Sequence, residues 1–303
     1  MLPNQHIRST DGDPHEMDRL NLQHKVWTTM TNGLTSVPKE ELDALLQRRP
    51  GGPSPSVLDV GCGSGIWCLE MAKAYPAAEI TGIDLARCMP KFVINCPNDC
   101  TFVQSNLLDG LEKYRGKFSL VHSRTVLSHI KAEQRKWAIE ELVRCLRPGG
   151  LIVLSDWDEI IVDEHGARLP AAQDKSDSKG SWLARVSNEA YGRDPIDSII
   201  RFTIPDVLQQ SAVIDQETLR MAFYLTPVGW DGGKTKNGAL LGKMMRINFM
   251  DAFDAFKPVY LKRGFSEDLI QEWRRKLDYE FSGKGQRVFT RWHSTWARSR
   301  GIC

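Results

Sequence analysis

Residues 57–67, Val-Leu-Asp-Val-Gly-Cys-Gly-Ser-Gly-Ile-Trp, constrain the fold of this chain more than any other stretch. Ser56 to Val60 reads as a short apolar strand. Gly61, Gly63 and Gly65 follow, and Ile66, Leu69 and Ala72 then recur at helical spacing until Pro76 closes the helix. A strand, a glycine-rich turn and a helix in this order bring backbone N–H groups and a helix N-terminus to a polar ligand. A glycine motif alone is a weak signal that an ordinary βα turn also satisfies, so the residues further along must decide.

Two ligand classes use this geometry. A nicotinamide dinucleotide site wants Gly-x-Gly-x-x-Gly, with the third glycine packing helix on strand, and here that position is Ile66. Asp59 lies inside the strand, two residues before the first glycine. A carboxylate there is unhelpful to a pyrophosphate and suits a ligand that carries an ammonium and a sulfonium.

The rest of the chain supplies the frame. Asp13-Pro14-His15-Glu16 is an N-cap followed by a proline and an acid, and the helix after it ends at Asn32-Gly33. A second helix starts near Pro38. Strands are predicted at 56–60, 78–84, 100–104, 118–122, 151–155, 219–226 and 288–296. Between them lie an amphipathic helix over 133–146, helical signal at 196–211 and 236–257, and a helix capped by Ser266. From Val162 to Pro195 the pattern fades, and 174–180 reads as a solvated loop. Strands alternating with helices imply an α/β fold, a seven-stranded doubly wound sheet with N-terminal helices and a helical insertion before the last strand. The organisation expected is an N-terminal helical cap over 1–53, a cofactor-binding half over 54–162, and a C-terminal half with helical substrate-side insertions over 163–303.

Composition excludes more than it assigns. A length of 303 residues permits one large domain or two small ones, and a net charge of +2 implies no partner class. The seven cysteines are odd in number and scattered, with no C-x-x-C pair, so neither a zinc site nor a disulfide framework is expected. The N-terminus lacks a signal-peptide core and no apolar run approaches a membrane span, so a cytoplasmic protein with no membrane partner is expected. The arginines and lysines between Arg274 and Arg300 fall on both faces of a helix and a strand, with acids interspersed, so nucleic acid is not an expected partner.

Four elements then agree in order and spacing: Asp59-x-Gly61-x-Gly63-x-Gly65, Asp84 at the end of the second strand, Ser105-Asn106-Leu107 after the third, and Leu146-Arg147-Pro148-Gly149-Gly150 before the fifth. Together they resemble the class I S-adenosylmethionine-dependent methyltransferases, a Rossmann-like family. More narrowly, Asp18-Arg19-Leu20-Asn21-Leu22-Gln23-His24, Gly65-Ile66-Trp67, Val121-His122-Ser123-Arg124 and Gly192-Arg193-Asp194-Pro195 resemble the fungal LaeA-type methyltransferase group. That group includes regulators of secondary metabolism, biosynthetic methyltransferases and an S-adenosylmethionine-dependent pericyclase, so membership speaks to the cofactor more than to the reaction. The resemblance implies S-adenosyl-L-methionine as cofactor, S-adenosyl-L-homocysteine as product, and a last strand inserted antiparallel.

It also implies the site. Asp59, Gly61, Cys62, Gly63 and Gly65 make the turn. Asp84, with Leu85 beside it, takes the ribose hydroxyls. Asn106 stands where the family usually has an acid for the adenine amino group, and its amide oxygen can still accept that bond, with Leu107 next to it. Ser123 lies on the fourth strand's end. Arg19 or Gln23, on the N-terminal helix, can hold the methionine carboxylate.

Methyl transfer needs alignment and exclusion of water, and an oxygen nucleophile usually needs a base. His122, at the ligand-binding end of the fourth strand, is either a base or substrate contact, or a structural histidine bonded to neighbouring backbone. His129 faces substrate or solvent. Asp156 either orients a substrate hydroxyl or amine, or is an exposed loop acid. His24 shares an apolar face with Trp27 and reads as a satisfied histidine, and Trp67 reads as core. Met244, Met245, Phe249, Met250, Phe253 and Phe256 are either core or the roof of an apolar acceptor pocket. No metal ligand set is present. The expected activity is methylation of a small organic acceptor, at oxygen first and nitrogen second, in secondary metabolism, by a monomer or homodimer. A cofactor-binding regulator without turnover and a pericyclase are the rivals.

Overall fold

Val57, Leu58 and Val60 are fully buried with Leu120 and Val121 alongside, as expected of neighbouring parallel strands covered on both faces. A computed structural model describes residues 14–48, 50–86, 99–174, 176–192 and 200–301. Asp13, Cys88, Cys96, Lys175, the Arg193-Asp194-Pro195 segment and Cys303 lie outside the described residues.

Two helices, α1 (Pro14–Thr31) and α2 (Lys39–Leu46), precede β1 (Ser56–Val60). Then come α3 (Ile66–Ala74), β2 (Glu79–Asp84), β3 (Cys100–Gln104), β4 (Phe118–Arg124), α4 (Ala132–Arg144) and β5 (Leu146–Asp163). The chain continues through α5 (Trp182–Tyr191), α6 (Ile200–Gln210), β6 (Arg220–Pro227), α7 (Gly238–Lys262), α8 (Glu267–Glu280) and β7 (Val288–Arg298). The strands form one seven-stranded sheet in the order β3-β2-β1-β4-β5-β7-β6. β7 runs antiparallel to both neighbours, with Val153 opposite Trp296 and Ala222 opposite Ser294. The sheet and its antiparallel last strand agree with the class I methyltransferase fold.

Side chains alternate across each strand. Leu58 and Val60 pack with α4 and α6 through Ile139, Leu142, Ile204 and Leu208, whereas Val57 packs on the other face with Trp67, Cys68 and Met71 of α3. A further apolar cluster joins α1, α5, α7 and α8 over the β5–β7 end of the sheet, with Trp27, Trp157, Phe249, Phe253 and Trp292 in it. Ser266 caps α8 by accepting the Leu269 N–H at 3.3 Å, as its sequence implies.

Three elements differ from the sequence reading. β5 extends well beyond 151–155, to Asp163. Its charged residues Asp156, Asp158 and Glu159 are buried, and Asp158 is reached by Arg291 at 2.6 Å and His293 at 2.7 Å. Pairing across strands makes these acids tolerable where a hydrophobicity pattern ends the strand. The segment read as featureless between 162 and 195 contains α5, capped by Ser181, whose hydroxyl accepts from the Ala184 N–H. The helical signal over 236–257 belongs to one helix, α7, which runs on to Lys262.

Candidate active site

The glycine turn is closely packed. Gly61 and Gly65 have φ of +76° and +74°. A Cβ on Gly61 would lie 2.1 Å from Val126 Cγ2, and one on Gly65 would lie 2.7 Å from Phe102 Cε1. The turn is tied to the end of β2 by Asp84: Gly63 N–H donates to Asp84 Oδ2 at 2.8 Å and Ala86 N–H to Oδ1 at 2.9 Å. Leu20 of α1 rests against Gly63.

A cavity of about 360 Å³ opens from this turn, at the C-terminal ends of β1, β2 and β4, and runs to α1, α5 and α7. That is the location at which open α/β sheets bind ligands, and the size lies within the range of small-molecule pockets. Its wall at one end carries Gly61, Gly63, Asp84, Leu85, Asn106 and Leu107. Arg19 and Gln23 reach it from α1, and His129 from the turn after β4. The other end is aromatic: Trp157, Tyr191, Phe249, Phe253, Phe256 and Trp292. The Met/Phe stripe therefore divides: its phenylalanines line the cavity, while Met244 and Met245 are buried in the core behind them.

Other expected site residues lie off this wall. Asp59 and His122 are in-register neighbours on β1 and β4, on the sheet face covered by α3. His122 Nδ1 and Asp59 Oδ1 are 2.7 Å apart, and the Trp67 ring stacks on the imidazole at 3.9 Å and 7°. Both residues are buried. Burial holds the His122 pKa below its ordinary value, with the opposing pull of Asp59 second. His122 is thus bonded to a side chain rather than to backbone, off the cavity wall, and Asp59 lies beneath the turn. The Cys68 thiol donates to the other Asp59 oxygen at 3.4 Å. Cys62 is buried, and Gly65 packs on β3. Ser123 donates to the Val60 carbonyl at 2.9 Å.

Asp156 is neither exposed nor on the wall. It is fully buried and accepts the Ser128 N–H at 3.1 Å and the Trp157 N–H at 2.8 Å. Burial raises its pKa, while those N–H groups and His293 oppose the shift. It pins the 127–129 turn that presents His129. His24 is satisfied as its sequence suggests, between Glu70 and Arg124 at 3.0 Å each.

Asn106 faces the cavity, but its side-chain oxygen accepts the Leu108 N–H at 3.0 Å and its amide donates to Asp109. It thus caps the short turn that forms this wall. Arg19 forms a two-pronged pair with Glu16, at 2.7 and 2.6 Å, and reaches Asn248 of α7 at 3.3 Å. Glu16 and Asn248 also line the cavity, and neither was singled out from sequence for this role. The Glu16-x-x-Arg19 spacing on one helix was a usable signal for the pair. Trp157 follows Asp156 at the rim its sequence position suggests, but nothing local marks Asn248, Tyr191 or Trp292, whose positions depend on tertiary packing.

These residues fit S-adenosylmethionine. The bare turn admits a ligand against backbone, Asp84 offers a carboxylate on the wall, and Arg19 and Glu16 present opposite charges side by side, the complement of an amino-acid zwitterion. Among the described residues no helix is long and apolar enough to cross a membrane, and no cluster of acids, histidines and cysteines has the makings of a metal site.

Comparison with known proteins agrees. A methyltransferase domain family matches residues 57–150. Methyltransferase pytC of Aspergillus terreus is 30% identical over 257 residues, covering 80% of this chain and 68% of that protein. The secondary metabolism regulator laeA of Coprinopsis cinerea is 41% identical over 107 residues, which is 35% of this chain and 25% of laeA. Among solved structures, a Haemonchus contortus phosphoethanolamine N-methyltransferase 2 in complex with S-adenosyl-L-methionine aligns with a TM-score of 0.44 and 16% identity, covering 94% of this chain and 57% of that one. The matched domain, the similarity to pytC over 80% of this chain and the sheet topology place the chain in the class I, S-adenosylmethionine-dependent methyltransferase family.

Proposed function

We propose that the protein methylates a small organic acceptor of secondary metabolism, at a hydroxyl or carboxylate oxygen ahead of a nitrogen. The observation that carries this reading is the continuity of one cavity, from the glycine turn and Asp84 to the aromatic wall of α5 and α7. When bound, S-adenosylmethionine supplies an activated methyl group, so the protein's task is alignment and exclusion of water.

Within this reading, Asp84 receives the ribose hydroxyls, and Asn106 and Leu107 form the adenine wall. Arg19 and Glu16 meet the carboxylate and ammonium of the amino-acid end, with Gln23 beside them. Tyr191, Phe249, Phe253 and Phe256 hold the acceptor. Asp59 and His122 brace the turn without touching the ligand.

Incubation of the purified protein with deuteromethyl-labelled S-adenosylmethionine and a panel of phenols, carboxylic acids and amines tests the proposal by mass spectrometry. A labelled product supports it. A thermal shift with S-adenosylhomocysteine, lost in Asp84→Ala, tests the ribose assignment separately. The partial match to laeA supports a second reading, a regulator that binds the cofactor. Retained cofactor binding with no labelled product from the panel would favour that one.

A further inference from the structure

Among the described residues, five charged ones line the cavity besides His129: Glu16, Arg19, Asp84, Arg124 and Lys131. Each is already engaged or peripheral. Glu16 and Arg19 neutralise one another through two hydrogen bonds. Asp84 accepts two backbone N–H groups at the glycine turn. Arg124 is directed at His24, with its guanidinium 5.8 Å from the Trp27 ring. Lys131 is exposed. Among the described residues, Arg19 reaches Asn248, beside Phe249 of the aromatic end, with its charge already matched by Glu16.

That end is built of rings meeting edge to face or tilted: Tyr191 to Phe256 at 5.6 Å, and Trp157 to Phe249 at 5.5 Å and to Trp292 at 6.1 Å. An ionised carboxylate or ammonium entering such a compartment gives up hydration, and among the described residues it meets no unmatched counter-ion. A flat ring gains stacking and edge contacts there. His129 joins this wall, its ring 6.0 Å from Tyr191, and is exposed at the cavity. A base placed so can touch an acceptor and return its proton to water.

Resting on the methyl-transfer reading, we infer that the acceptor is an uncharged aromatic alcohol, a phenol or an enolised ring, seated between Tyr191, Phe249, Phe253 and Phe256 with its hydroxyl at His129. The hydroxyl proton passes to the imidazole while the acceptor oxygen forms its bond to the methyl carbon. The carbon–sulfur bond breaks with its electron pair remaining on sulfur, and the proton then leaves His129 for solvent.

Several of the described groups can bias His129. Asp156 lies beneath its turn, accepting the Ser128 N–H. Arg135 donates from Nε to the Leu127 and Ile130 carbonyls on either side of it. Lys131 follows two residues later, and Tyr191 faces it from α5.

The test offers the intact protein three probes on one skeleton, 1-naphthol, 1-naphthoate and 1-(aminomethyl)naphthalene, with deuteromethyl-labelled S-adenosylmethionine. The expected result is label on the naphthol at a rate at least about tenfold above the other two. His129→Gln is expected to lower kcat about a hundredfold and to remove the acidic limb of the pH–rate profile. Its thermal shift with S-adenosylhomocysteine should persist, showing a folded site. Label mainly on the acid or amine overturns this inference and leaves methyl transfer standing, as does an unchanged pH profile in the variant for the assignment of His129. Label on none of the three, with cofactor binding intact, overturns the inference and removes support for turnover.

Discussion

The His122 imidazole and the Asp59 carboxylate meet at 2.7 Å beneath the glycine turn, sealed by the Trp67 ring. With a carboxylate as its partner, Nδ1 is the nitrogen that carries hydrogen. The contact couples the strand that enters the turn to the strand beside it. Removing one partner strands the other in a buried place. Asp59→Ala is expected to lower unfolding free energy by about 1–3 kcal/mol in urea titration. Asp59→Asn should cost less, because an amide oxygen can still accept from Nδ1.

Acid should destabilise the protein through two histidines. His122 and His24 are both held below the ordinary 6.5, by burial first and, for His24, by Arg124 next. Below about pH 6.5 the unfolded chain takes up protons that the folded chain refuses, so stability present above that pH is lost as pH falls toward the folded values. Thermal midpoints measured from pH 8 to pH 5 should decline below that point, and His122→Asn should flatten the decline.

Glu280 acts in the opposite direction. It is buried and accepts the Trp182 and Leu183 N–H groups at the start of α5. Burial pushes its pKa from 4.5 up to about 7. A carboxyl raised in this way contributes stability that is full below the unfolded value and is lost as pH rises through the folded one. The difference in thermal midpoint between Glu280→Gln and the parent should therefore shift in favour of the variant between pH 5 and pH 8.

Gly61 has no room for a side chain. Its φ of +76° alone makes alanine cost about 1–2 kcal/mol, and the added Cβ would run into Val126. Gly61→Ala should weaken S-adenosylhomocysteine binding at least about tenfold by calorimetry, a change of about 1.4 kcal/mol. Val126→Ala in the same chain should restore part of it by opening the space.

Arg19 should matter for the cofactor as well as for folding. Replacing it with methionine removes a charge-assisted contact, worth about 1.5–3 kcal/mol, and leaves Glu16 without its counter-ion. Calorimetry should show affinity for S-adenosylhomocysteine falling roughly ten- to hundredfold. The paired variant Glu16→Gln/Arg19→Met should recover stability but not affinity.

What was legible in the sequence was what is local. The glycine turn, the acid at Asp84 and the position of Asn106 follow from spacing along a βα unit, and all three reach the cavity. The seven strands were visible because apolar runs and turn residues punctuate them. The long half of β5 was not, because Asp156, Asp158 and Glu159 look like solvent residues until Arg291 and His293 arrive from the far end of the chain. His122 shows the same limit at the site. Its place at a strand end was readable, but its face was not. Only the register that sets it beside Asp59 reveals that it points under α3 rather than into the cavity. The α5 wall escaped because its anchoring acid, Glu280, lies 97 residues beyond Leu183.

The bond from Arg19 to Asn248 spans 229 residues. During synthesis the glycine turn and its flanking strands are complete long before α7 exists, yet the cavity is closed only when the first and the late helices meet. Long-range closure of this kind comes late in folding. A chain stopped before α7 would keep the glycine turn but lack Phe249, Phe253 and Phe256 of the cavity, so ligand affinity is expected to report on completion of that late helix.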